Sequence, residues 1–337
     1  MDLSNKLPTN SKFHIEPEIN PYGKKIKGII PLDKSTHWLY DFGEDCELFF
    51  DCFNDPFSEL YKTDYSNLNT KFIFRGHQDA NWELIPSAFR DLNLNSNRND
   101  FNIFKSGNGN HLPEIKDFIN FVKGLNSLGY KIENDTFKLI NSNLSDENIL
   151  ASELINDFPK EEQLKELALA QHYGVRTRLL DFTFNPNKAF FFASENINSL
   201  NFNPDKKIGI WAIPERLIDV FQEDVYLKRI FPQGYQNKNM IAQEGLFINY
   251  FNGRSLNNTL YTNHSKIKKL DEYLFDSKKS KLNEDLINHK IGKPCLFTLS
   301  HKVNWQVIKR LEIMNINWTT IQPDLYGLKK EVERKRN

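Results

Sequence analysis

Three short segments concentrate side chains that could carry chemistry. They are Phe74-Arg75-Gly76-His77-Gln78, the run from Gln171 to Thr183, and Ala242-Gln243-Glu244-Gly245-Leu246-Phe247. Arg75 presents a planar fork that can grip a phosphate or a carboxylate through two parallel charge-assisted hydrogen bonds. The same fork could instead clamp Asp181 or Glu244, since a half-buried arginine needs an anionic partner. Glu244, placed on an otherwise apolar strand, is the acid hardest to dismiss, because a buried carboxylate without a partner is costly. Thr183 either shapes a site or caps the turn before Pro186. His77 reads as hydrogen-bonded scaffolding. His172, beside Tyr173 and just before Gly174, falls at a helix end, where side chains commonly face a cleft. Arg176 and Arg178 flank Thr177 on one face of an extended segment, one offering an anion contact and the other a solvated charge.

These residues need elements to position them. Lys71 to Phe74 predicts a strand ended by Gly76. Ile115, Phe118, Ile119 and Val122 fall on one face of a helix over Glu114 to Leu128, and a further helix is expected over Asp146 to Phe158. Pro159 to Tyr173 predicts a helix with Pro159 in its first turn and Gly174 just past its end. Asn185-Pro186 opens another through Ala193. Ile208 to Ile213, Gly245 to Tyr250 and Cys295 to Leu299 read as buried strands, Val307 to Met314 as a helix and Asp324 to Lys335 as a charged terminal one. A helix over Trp38 to Phe57 would pack on the main body, and Asn93 to Asn110 is a loop or insertion. The organisation that follows is an N-terminal extension over residues 1–60, a main domain over 61–330 with a helical insertion at about 93–165, and a charged tail over 331–337. The fold class is α+β, a single main domain of mixed strands and helices.

Composition narrows the function. The chain has 337 residues with 44 basic and 44 acidic side chains, so its net charge is zero, which argues against a general nucleic-acid coat. Hydrophobic residues make up 39% and include 27 phenylalanines, enough for a large core. No apolar run approaches the ~18 residues of a membrane span, and Met1 to Asn20 carries no hydrophobic signal segment. Three cysteines without a Cys-x-x-Cys pair suit a reducing cytoplasm and no cysteine metal site. No metal-ligand spacing, Gly-x-Gly-x-x-Gly or Walker sequence is present.

Taken together, Phe74-Arg75-Gly76, the block from Gln171 to Ala193, Gln243-Glu244-Gly245 and Gln322-Pro323-Asp324-Leu325-Tyr326-Gly327-Leu328 resemble the FRG-domain family, named for its Phe/Tyr-Arg-Gly motif. The resemblance covers roughly residues 60 to 330. A more distant similarity links Arg75, the Asp181-Phe182-Thr183 strand and Glu244 to ADP-ribosyltransferases of the Arg-Ser-Glu type, and implies their split sheet with inserted helices. It implies that NAD is a substrate, and the lack of metal-ligand spacing leaves no metal expected at the site. Glu244, Arg75 and Thr183 would be catalytic, and Arg75, Gly76, His172, Tyr173, Arg178 and Asp181 would bind the dinucleotide. Cleaving the nicotinamide bond develops an oxocarbenium-like ribose, which a carboxylate at Glu244 would stabilise. Asp181 and Phe182 replace the first two residues of the Ser-Thr-Ser motif, and Ala242 stands where arginine-modifying transferases keep a second acid. Transfer to a macromolecular acceptor, hydrolysis as an NAD glycohydrolase, and a catalytically silent module that binds a nucleotide, nucleic acid or protein all stay open. By resemblance, the transferase reading implies a toxin or phage-defence effector.

Overall fold

The computed structural model describes residues 29, 31–55, 60–61, 71–90, 112–141, 158–197, 202–220, 227–231, 238–249, 261–262, 266–267, 269–274 and 293–336. The Asn93–Asn110 stretch, and all of the helix expected over Asp146–Phe158 except Phe158, lie outside these residues.

The strands are β1 (Leu32–Asp33), β2 (Trp38–Asp41), β3 (Phe72–His77), β4 (Leu179–Thr183), β5 (Lys207–Pro214), β6 (Lys228–Ile230), β7 (Gly245–Asn249), the separate pair β8 (Tyr261–Thr262) and β9 (Lys266–Ile267), and β10 (Cys295–Ser300). The helices are α1 (Cys46–Asn54), α2 (Ser87–Arg90), α3 (Leu112–Ser127), α4 (Asn134–Asn141), α5 (Leu164–His172), α6 (Pro186–Ser194), α7 (Glu215–Val220), α8 (Lys238–Ala242), α9 (Leu270–Leu274), α10 (Asn304–Ile313), α11 (Trp318–Ile321) and α12 (Leu325–Arg334). Eight strands form one mixed sheet in the order β1-β2-β10-β5-β3-β4-β7-β6, so the chain is a single α+β domain.

Strand alternation sorts the core into two faces. Phe72 and Phe74 of β3, Ile210 of β5 and Phe297 of β10 meet Ala189 and Phe190 of α6 and the phenylalanines of α1. On the other face Ile73, Trp211, Leu180 and Leu246 lie under α7 and α9. A third cluster joins α3, α4 and α5 to Leu179 and Phe247. Among the described residues, no helix is long and apolar enough to cross a membrane.

The structure corrects three local expectations. Trp38 to Phe57 is not one helix. Trp38 and Tyr40 are buried in alternation on β2, which pairs in parallel with β10, and α1 starts only at Cys46, with Asp45 accepting from the Leu48 N–H at 2.9 Å. The described part of residues 1–60 is therefore built into the main sheet and core. Pro159 precedes rather than opens its helix, because Glu161–Gln163 form a tighter turn in which the Lys160 N–H donates to Gln163 at 2.9 Å. Finally, β3 does not end at Gly76 but runs on to His77 beside β5.

Candidate functional site

The sheet comes apart at one place. β3 pairs with β5 through all six of its residues but meets β4 only at Phe74↔Thr183, whereas β4 pairs with β7 along its whole length. Beyond Phe74 the two central strands diverge, and Arg75 spans the gap. Its Nη1 donates to the Asp181 carbonyl at 2.7 Å and to the Asp181 carboxylate. Its Nε donates to His77 Nε2 at 3.0 Å. Gln171, at the end of α5, donates to the same carboxylate at 3.3 Å and accepts from the Thr177 hydroxyl. Asp181 sits mid-strand between the buried Leu180 and Phe182, yet 59% of its side chain is open to solvent, against 11% for Arg75. The aspartate is open to solvent at the gap where the two central strands part. Burial of its surroundings pushes the Asp181 carboxyl up, but the charge and hydrogen bond of Arg75 outweigh this and hold it below its ordinary value, so it is an anion at neutral pH.

Glu244 lies close by, and not on a strand as its apolar neighbours suggest. The chain reverses from α8 into β7 through Gln243-Glu244, and Glu244 takes φ +48°, a region that costs a non-glycine residue about 1 kcal/mol or more. The turn is pinned by the Thr183 hydroxyl, which donates to the Gln243 carbonyl at 2.7 Å, and by the Phe184 N–H, which donates to the Glu244 carbonyl at 3.1 Å. The Glu244 carboxylate then accepts from Asn185 at 3.2 Å and from Lys188 at 2.5 Å, with 49% of its side chain exposed. Burial pushes its pKa up, but the hydrogen bonds of Lys188 and Asn185 and the charge of Lys188 together outweigh this and lower it. Asn185 also caps α6, accepting from the Asn187 N–H at 3.0 Å.

A third group closes the far side. His172 Nε2 lies 3.1 Å from Asn239 Nδ2, which donates to Asp324 at 2.8 Å. Asp324 caps α12 by accepting from the Gly327 N–H at 2.9 Å. Burial lowers the His172 pKa against the pull of Asp324, leaving a neutral ring. Tyr173 is 67% exposed beside it. All four sequence motifs thus meet on one surface through hydrogen bonds between distant segments.

Two expected ligand contacts have structural work instead. Arg178 is fully buried, with Nη2 and Nε donating to Glu114 Oε2 at 2.7 and 2.9 Å and Nη1 to the Phe158 carbonyl at 2.9 Å. It ties α3 to β4 and cannot reach a solvent-borne ligand. Gly76 gives α6 room to pack, because a Cβ there would lie 1.9 Å from the Ala189 carbonyl oxygen. Thr183 acts on the Glu244 turn, and Arg75 pairs with Asp181 rather than Glu244. Lys188 and Asn239 were missed. Lys188 sits three residues after the helix cap, a spacing that marks it as a neighbour of Asn185 on one helix face. Asn239 had no local signal.

His77 is buried and pushed down to about 3, first by burial and then by the charges of Arg75 and Arg90. It accepts from Arg75 and so stays neutral. The unfolded chain takes up a proton near the ordinary pKa of 6.5 while the folded one resists until about 3. The stability this group contributes above pH 6.5 is therefore lost on acidification, at up to about 1.4 kcal/mol per pH unit. Denaturant titrations of wild type and His77→Gln between pH 7 and 4 should diverge, with the variant the flatter. Parallel profiles would refute the assignment.

Residues 70–201 match a family model described as the FRG domain. No curated protein and no solved structure matches the chain.

Proposed function

Because residues 70–201 are an FRG domain, we propose that the cleft where β3 leaves β4 is the active site of an ADP-ribosyltransferase-like enzyme that cleaves NAD. The observation that carries this reading is Glu244. A glutamate is held at positive φ, ionised and half exposed, by Thr183, Asn185 and Lys188, beside a cleft that also holds an arginine. Backbone strain of this kind persists where the surroundings over-determine it, and it clusters at functional sites.

In the proposed reaction the bond between nicotinamide and ribose C1′ breaks, and nicotinamide leaves with the bonding electron pair. The Glu244 carboxylate stabilises the positive charge that develops on the ribose. An acceptor oxygen or nitrogen then bonds to C1′ and releases its proton. The guanidinium Nη2 of Arg75, which has no hydrogen bond among the described residues, would meet a phosphate. Water as acceptor would make the protein an NAD glycohydrolase, and a macromolecular acceptor would make it a transferase of the kind used as toxins or in phage defence. Its three cysteines are buried and none is in a disulfide, which suits a reducing cytoplasm.

One observation favours a silent binding module: Asp181 and His77 already occupy two edges of the Arg75 guanidinium. The experiment that separates the readings is incubation of purified protein with labelled NAD, with and without cell lysate, against Glu244→Gln. Nicotinamide release that falls about 100-fold or more in the variant is expected, as for loss of a transition-state charge partner. Equal inactivity of both proteins would overturn the catalytic reading.

A further inference from the structure

The closing motif, residues 322–328, plays no part in the reaction proposed above, yet its aspartate reaches the cleft. Asp324 Oδ1 accepts from the Gly327 N–H at 2.9 Å. Its Oδ2 accepts from Asn239 Nδ2 at 2.8 Å and from Gln322 Nε2 at 3.3 Å. Burial pushes the carboxyl up, but these hydrogen bonds outweigh it and hold the pKa below its ordinary value. Asp324 is therefore an anion at neutral pH.

That charge determines the chemistry of its neighbours. An ionised carboxylate only accepts, so the Asn239 atom facing it is the amide nitrogen. This nitrogen carries two protons. One goes to Asp324, and the other points at His172 Nε2, 3.1 Å away. A ring nitrogen that faces an N–H must accept, so the single proton of the neutral His172 ring sits on Nδ1. Three segments far apart in the chain thus fix one tautomer.

The resulting Nδ1–H is not used inside the protein. It has no hydrogen-bond partner among the described residues, and unlike Nδ1 of His77 and of His301 it is not sealed from water. It is also tied to both halves of the cleft. Gln171, one residue earlier, donates to the Asp181 carboxylate at 3.3 Å. The Asn239 carbonyl accepts from the Gln243 N–H at 2.9 Å, immediately before Glu244. With the proton on Nε2 instead, His172 would turn a lone pair toward an incoming anion.

We propose that Asn239 and Asp324 are positioning residues, which hold His172 in this tautomer so that its Nδ1–H donates to a phosphate or ribose oxygen of the dinucleotide. The role rests on the NAD-cleavage reading, whereas the tautomer does not. Nitrogen-15 NMR of the imidazoles in the full chain reads the tautomer directly, and Glu244→Gln serves as the parent because it should hold NAD without consuming it. His172 should be protonated on Nδ1, and NAD should shift that resonance. Asn239→Ala should release the ring to the other tautomer and weaken NAD about 10-fold by calorimetry, the worth of one hydrogen bond. His172→Asn places an amide N–H where Nδ1–H stood and should keep most of the affinity. His172→Gln, whose amide reaches the Nε2 position, should lose about 10-fold, an ordering that a merely structural histidine would not give. A ring protonated on Nε2, or equal NAD affinity of His172→Asn, His172→Gln and the parent, would overturn the proposal and leave the cleavage reading standing. No NAD binding by the parent or the wild type would overturn both.

Discussion

Glu114→Gln is expected to destabilise the protein by about 3–5 kcal/mol, the cost of leaving a buried charge without its counter-charge. The Arg178 guanidinium has no solvent exposure and Glu114 almost none. Glu114 accepts from the Arg178 N–H at 2.7 Å as well as from the side chain, and the guanidinium lies 4.8 Å over the Phe158 ring. A neutral amide can take over at most part of this set, because glutamine puts a donor where the second carboxylate oxygen accepted. Urea denaturation should show a lower midpoint at an unchanged slope. Replacing both residues, as Glu114→Leu with Arg178→Met, should recover most of the loss, since an apolar pair removes the desolvation cost altogether. A single-variant loss below about 1 kcal/mol would mean that this pair does not anchor α3 to β4.

Gly76→Ala should be at least as damaging, with a loss above about 3 kcal/mol. The added methyl would lie 1.9 Å from the Ala189 carbonyl oxygen and 2.9 Å from the Ala193 nitrogen, both backbone atoms of a helix packed on the sheet. Nothing at the end of a flexible side chain can yield, so α6 must lift away. That helix begins with Asn185 and carries Lys188, and these two residues hold the Glu244 carboxylate. Stability and any chemistry at Glu244 should therefore fail together. Gly124→Ala is the matched control: it lies inside α3 with nothing within 4 Å of the added carbon, and should stabilise by about 0.5–1 kcal/mol through helix propensity. Thermal and urea unfolding of the two variants side by side would test the pair. Similar stability of Gly76→Ala and wild type would contradict the close helix–sheet approach.

Much of the architecture could be read from local pattern. The i, i+3, i+4, i+7 spacing of Ile115, Phe118, Ile119 and Val122, the apolar run from Ile208 to Ile213, and the Asn185-Pro186 opening of α6 are determined by residues a few positions apart, as are the Asp324 start of α12 and the α+β class. So were the segments that form the site, because their residue types were unusual where they stood. Trp38 to Phe57 misled because its aromatic density suits a helix or a strand equally, and pairing with β10, some 250 residues later in the chain, decided for a strand over Trp38–Asp41 and left the helix to start at Cys46.

Partner choice was beyond local reasoning. The amino-acid order determined that Arg75 needed an anion and that Glu244 needed a cation or a hydrogen bond, since burial makes either charge costly alone. It did not determine that Asp181 and Lys188 would supply them, nor that Arg178 would close onto Glu114, 64 positions away, instead of facing a ligand. Those outcomes follow from where β3 and β4 part and from which face of β4 α3 covers. Both are set by the summed packing of three core clusters, and only the tertiary structure brings these residues within hydrogen-bonding range of one another.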